Sequence, residues 1–233
     1  MKSKIHKFNE EIEEELEKEQ HVLFEEEKVQ QLRTVGLYGD VEPEKAEVCI
    51  YGLMSLHQNR TKLVEKPLTK AQLKKIEKAK KKNESVEIEI EYEEVNQPID
   101  FILSTPGGRA TDMFSIYDTM RMVRQDCDVV TFGLGQVMSA GVLLLAAGTK
   151  GKRKIGKHCR VMIHQVSAGT QGPHHEMINE IAEIEYTQKQ YIKTLAAETK
   201  MSESTIKKLF ERKVNIYLSA EEAVKYGIAD IIV

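Results

Sequence analysis

Two residues of this 233-residue chain have the types and settings that acyl-transfer chemistry uses. Ser139 lies in GQVMSAGV (135–142), directly ahead of the most apolar run of the sequence, VLLLAA (142–147). His164 closes a second apolar segment, RVMIH (160–164). A serine hydroxyl is a weak nucleophile until a base takes its proton, and the oxyanion that then forms needs donors to hold it. A helix beginning at Ser139 leaves the Ser139 and Ala140 N–H groups free of helical partners, with the positive end of the helix dipole beside them. Gly108, in the TPGG turn (105–108), is placed to supply a second donor. Each residue alone also fits an ordinary role, Ser139 as a helix N-cap and His164 as a core histidine bonded to backbone.

Other constellations carry less chemistry. GKRKIGKH (151–158) approaches a phosphate-binding loop but ends in His158 where that loop needs Ser or Thr, and its basic run precedes a strand. ATP binding by this chain is therefore not expected. His174, His175 and Glu176 do not share a helical face, so the segment reads as a solvated helix start and no metal is expected. Cys49, Cys127 and Cys159 are odd in number and widely spaced, which predicts reduced, buried thiols.

The chain must position Ser139 and His164 on rigid elements. With 41% hydrophobic and 30% charged residues it reads as one soluble, globular domain. A net charge of −3 favours neither nucleic acid nor an anionic membrane as partner. No apolar run nears the ~20 residues of a membrane span, and MKSKIHKFNEEIEEE lacks a signal-peptide core, so a cytoplasmic location is expected. Residues 1–31 read as an acidic arm, helical or flexible. Residues 32–233 read as the folded domain, with a charged insertion at about 59–97.

Within the domain, RTVGLYG (33–39), IDFILS (99–104) and VVTFGL (129–134) read as short buried strands. Helices are predicted after Pro43, from about Asp112 to Gln125, from about His174 to Lys200, after Ser202 and from Ala220 to about Tyr226. In the insertion, Thr69 and Gln72 have capping-box spacing, and SVEIEIEYEE (85–94) alternates as a half-exposed strand would. Strands alternating with helices predict an α/β domain on a largely parallel sheet. Functional loops then gather at the carboxyl ends of strands, where both Gly107-Gly108 and Ser139 fall.

TPGG (105–108), SIYDTM (115–120), GQVMSAGVLLLAAGTKGKR (135–153), RVMIHQ (160–165) and LSAEEAVKYGIAD (218–230) together resemble ClpP, the proteolytic subunit of the Clp protease. The resemblance covers about 33–58 and 98–233. It implies the ClpP/crotonase-like fold of repeated ββα units with a projecting handle helix. It also implies a serine endopeptidase that degrades unfolded polypeptides through an acyl-enzyme, inside stacked heptameric rings (a tetradecamer). An ATP-driven unfoldase of the Clp family feeds such a chamber, so the subunit itself needs no cofactor. By motif, Ser139 is the nucleophile, His164 the general base, and Gly108 and Ala140 the oxyanion donors. Gly107, Gln165, Ser167 and Gly169 fall where the family meets its substrate in extended form.

Two departures stand out. The family's third catalytic residue, an aspartate, falls on Asn215, with Glu211 a poorer substitute four positions earlier. An Asn carbonyl can fix the histidine tautomer but offers no full negative charge. Asp100 and Ile102 replace aromatic residues with which the family receives its unfoldase, so docking is expected to be weak or altered, with the arm and insertion serving instead. A catalytically weak or inactive ring subunit is therefore the alternative reading. A crotonase-type acyl-thioester enzyme explains the serine–histidine pair poorly.

Overall fold

The computed structural model describes residues 32–82, 88–212 and 214–233. The acidic arm lies outside the described residues, as do Ser85–Glu87 at the start of the alternating segment. Among the described residues, seven strands form one mainly parallel sheet.

Strand β1 (Thr34–Tyr38) lies parallel to a later strand, Ile99–Thr105. It leads into α1 (Pro43–Gln58), whose Pro occupies the first turn where its missing N–H costs no helical bond. Ala46, Cys49 and Leu53 bury the face of α1 that packs on the sheet. The insertion follows as β2 (Thr61–Glu65), α2 (Lys70–Lys82) and β3 (Tyr92–Asn96), with β2 and β3 forming a separate antiparallel pair. Thr69 and Gln72 form the expected capping box: Thr69 N–H donates to Gln72 Oε1 (2.8 Å) and Gln72 N–H to Thr69 Oγ1 (3.3 Å).

The alternation predicted a strand from Val86 to Glu93; the observed strand is β3, and Ile88–Glu91 are not in it. Strand structure needs a partner, and β2 runs out where Glu65 faces Tyr92. Beyond that point the Glu91 carbonyl accepts Lys66 N–H, and the Glu89 carbonyl accepts the Gln72 side chain.

β4 (Ile99–Thr105) alternates buried and half-buried residues, with Ile99, Phe101 and Leu103 facing the core and Asp100 and Ile102 on the other face. α3 (Ala110–Val123) then buries Met113, Ile116, Met120 and Val123. β5 (Val129–Met138) is longer than predicted and runs straight to Ser139. Its pairing with β4 shifts register, because Leu103 faces Gly133 whereas Thr105 faces Val137. The extra residues of β5 include Gly135 at φ +65°, so the strand bulges and turns just before the serine.

The next helix, α4 (Ala140–Ala146), is buried throughout. β5 forks in its pairing: Phe132 and Gly133 pair with β6 (Lys154–Ile155), whereas Gln136–Met138 pair with β7 (Arg160–Ile163). The fork sets the end of β7, and hence His164, beside the end of β5. α5 (His174–Glu198) is 25 residues long; the part from Tyr191 onward packs into the domain, and most residues before it are exposed. α6 (Glu203–Glu211) begins at Ser202, whose Oγ accepts Thr205 N–H as a cap. β8 (Ile216–Leu218) runs antiparallel to β7, α7 (Ala220–Tyr226) carries a full capping box, and β9 (Ile231–Ile232) pairs with β6.

The base of α5 is held by charge. Glu198, 2% exposed, takes Tyr117 Oη (3.0 Å), Arg121 (3.2 Å), Arg124 (3.5 Å) and Lys150 (3.2 Å). Burial alone would raise its pKa, but Arg124 and Lys150 hold the carboxyl below its ordinary value. All three cysteines are free and buried, as the sequence predicted. Burial raises the thiols of Cys49 and Cys159 to about 11, so they are inert packing groups.

Candidate active site

Ser139 stands at the tip of a strand-to-helix turn with φ 52° and ψ −118°. It is the only non-glycine residue at positive φ among the described residues. Such a backbone costs on the order of 1–3 kcal/mol and persists where the surroundings hold it. Three bonds do so here. Ser139 N–H donates to the Met162 carbonyl (2.8 Å), its carbonyl accepts Val142 N–H (3.0 Å), and the same carbonyl accepts the Tyr191 hydroxyl (3.1 Å).

The side chain does not cap the helix. Ser139 Oγ instead lies 2.7 Å from His164 Nε2. The ordinary N-cap role is therefore excluded, and the pair has the geometry of a nucleophile and its base. Burial lowers the pKa of His164 below its ordinary value, so the ring is neutral near pH 7 and able to accept a proton.

The predicted donor set needs one correction. Ser139 N–H is spent on Met162, because β7 lies beside the end of β5. Among the described residues no acceptor takes the N–H of Gly108 or of Ala140. Both residues line one cleft of about 720 Å³ together with Ser139 and His164. Gly107 and Gly108 are required there by space. A Cβ on Gly107 would lie 2.5 Å from Ser139 Cβ and 3.1 Å from its Oγ, over the reacting atom. A Cβ on Gly108, at φ +156°, would lie 2.2 Å from the Val41 carbonyl oxygen. Gly108→Ala keeps the backbone N–H but forces it out of place, and is therefore expected to lower turnover by about 10²–10³-fold through misplacement of one donor. It should also destabilise the fold by roughly 1–3 kcal/mol. Initial rates beside thermal melts check both.

The other predicted residues divide. Gly107, Gln165 and Ser167 line the cleft, whereas Gly169 is exposed and lines neither it nor the smaller cavity behind His164. Gln165 also has a structural duty, because its Nε2 donates to the Phe210 carbonyl (2.9 Å) and ties α6 to the site. Asn215 lies immediately before β8 and shares that smaller cavity with His164, but among the described residues no hydrogen bond joins the two. Glu211 is exposed at the end of α6 and lines neither cavity.

Sequence reasoning missed Tyr191 and Gln188. Tyr191 is buried on α5, stacks on Phe210 (centroids 6.3 Å apart) and steadies the Ser139 turn through its hydroxyl. Gln188 Oε1 accepts Val166 N–H (2.7 Å), fixing the chain just after His164. The available signal for Tyr191 was its place on the stripe of Ile192 and Leu195, where a polar-tipped aromatic needs a partner.

Comparison with known proteins identifies the family of the chain. The Clp protease family profile matches residues 70–233. The chain belongs to the Clp protease family. The matched region of this family member contains Gly108, Ser139, His164 and Asn215; residues 33–58, which the motif reading had included, lie outside it. Among curated relatives, ATP-dependent Clp protease proteolytic subunit 2 of Chlamydia trachomatis serovar D is 38% identical over 141 residues, covering 60% of this chain and 68% of the relative. The protein of the same name from Chlamydia muridarum is 39% identical over 142 residues, with the same coverage. The family is one of proteases, and the mainly parallel α/β sheet is its crotonase-like domain. Among the described residues, no helix is long and apolar enough to cross a membrane.

Proposed function

We propose that this protein is a serine endopeptidase that cleaves unfolded polypeptides through an acyl-enzyme. The observation that carries the reading is the 2.7 Å approach of Ser139 Oγ to His164 Nε2, on a strained turn beside two unpaired N–H groups. His164 Nε2 takes the Ser139 proton as Oγ bonds to the substrate carbonyl carbon. The N–H groups of Gly108 and Ala140 receive the oxyanion. The imidazolium then gives its proton to the leaving amine, and water repeats the cycle on the acyl-enzyme. Gly107, Gln165 and Ser167 flank an extended substrate in the cleft. No cofactor takes part.

The chamber belongs to the same proposal. Subunits form heptameric rings that stack as a tetradecamer in the cytoplasm, and a separate ATP-driven unfoldase supplies substrate. The exposed half of α5 supports assembly. Ile178 is 52% exposed, Ile181 50% and Tyr186 56%, an apolar surface on a projecting helix that a second copy can cover. Ile178→Asp with Ile181→Asp is expected to reduce the assembly mass measured by light scattering by half or more, leaving monomer melting unchanged. An unchanged mass removes α5 as the contact. The catalytic reading is tested by fluorophosphonate labelling of the assembled protein, where absence of Ser139-dependent labelling refutes it.

A further inference from the structure

A second cavity, of about 280 Å³, shares His164, Gln165, Val166 and Ser167 with the cleft but not Ser139, and is lined also by Phe210, Val214 and Asn215. His164 Nε2 is committed to Ser139 Oγ, so Nδ1 is the ring nitrogen left for this cavity. Among the described residues, the sealed side-chain polar atoms without partners are Arg60 Nε and Asp112 Oδ2. His164 Nδ1, the Ser167 hydroxyl and the Asn215 amide make no hydrogen bond to another described residue and are not sealed, so all three are available to a ligand there.

The chemistry of the site says which ligand. When Ser139 transfers its proton to Nε2, the imidazolium carries positive charge over both nitrogens, and Nδ1–H needs an acceptor with negative charge. Asn215 is neutral and does not reach the ring. Ser167 and Asn215 contribute donors, which hold a carboxylate while one of its oxygens faces Nδ1–H. The volume admits a small carboxylate together with water.

We propose that this cavity binds a small free carboxylate, which accepts the His164 Nδ1–H and activates Ser139. The proposal rests on the serine-peptidase reading. The carboxylate stays anionic throughout. The proton moves from Ser139 Oγ to His164 Nε2 and on to the leaving amine, while the carboxylate orients the ring and offsets its charge.

The test uses the full chain, with formate and acetate as probes, chloride at equal ionic strength as control, and pivalate as a bulkier carboxylate. Ser139 labelling by a fluorophosphonate, and peptide hydrolysis, should rise saturably by about tenfold or more in formate and less in pivalate. Asn215→Asp supplies the carboxylate internally and should abolish the dependence. A readout independent of activity is line broadening of the formate resonance by the wild-type protein, lost in Asn215→Asp. Labelling that proceeds but ignores formate, or responds equally to chloride, overturns the carboxylate site and leaves the peptidase reading standing. Absence of formate broadening overturns it as well. Absence of Ser139-dependent labelling with or without formate overturns the peptidase reading itself.

Discussion

Ser139→Ala abolishes fluorophosphonate labelling and lowers peptide turnover by about 10⁴-fold or more, with the fold retained. The loss is large because the hydroxyl is the group that bonds to substrate. Gly108 and Ala140 N–H groups alone can only stabilise charge on a carbonyl that water must attack. Retention of the fold follows from what the side chain does. Ser139 Oγ touches His164 and makes no cap bond, whereas the backbone bonds to Met162, Val142 and Tyr191 survive the substitution. Burst labelling, steady-state peptide hydrolysis and a thermal melt check the three parts of the expectation. Undiminished turnover in the variant would remove Ser139 from the chemistry.

Asn215→Asp is expected to raise turnover, by up to about 10⁴-fold if the new carboxylate reaches His164 Nδ1. The effect is electrostatic. In the wild-type protein burial depresses the His164 pKa, and among the described residues no carboxylate lines the shared cavity to oppose that effect. The base form therefore persists to low pH, and the acid limb of kcat/KM should fall below His164's ordinary value of 6.5. A carboxylate introduced in place of the Asn215 amide stabilises the imidazolium, so the acid limb moves to higher pH as turnover rises. The sign is diagnostic: a rise in rate without that displacement means that the new carboxylate acts on the fold and not on the ring. A pH profile of both proteins, taken with one uncharged peptide, decides it. The substitution also places a charge in the cavity proposed for small carboxylates, so formate dependence and the acid limb should change together.

Much of the site was legible in the sequence because its chemistry lies in short contiguous segments. TPGG and GQVMSAGV each place backbone at the end of a strand, and the local preference of Gly for left-handed φ is a property of the residue itself. Capping was equally local: Thr69 with Gln72 and Ser202 with Thr205 each close within one turn. The alternating run from Ser85 to Glu94 misled for the opposite reason. Its period of two is a property of the segment, but a strand forms only as far as a partner accompanies it, and β2 ends at Glu65.

Residue pattern was enough to predict the alternation of strands and helices and the apolar core and to mark Ser139 and His164 as a candidate pair, whereas Asn215 entered only through the family resemblance. The distances between them came only with the packing of the chain. Ser139 N–H proved to be taken because the fork in β5 sets β7 beside it, so Met162 comes within 2.8 Å from 23 residues away in sequence (162 − 139). Tyr191 reaches the Ser139 carbonyl where the buried end of α5, Tyr191, Ile192 and Leu195, packs into the domain and Glu198 is ion-paired. Asn215 and His164 share a cavity because the antiparallel pairing of Ile163 with Ile216 brings the residue before β8 to the residue after β7. Such separations depend on how elements pack, and no periodicity or composition of the chain carries them.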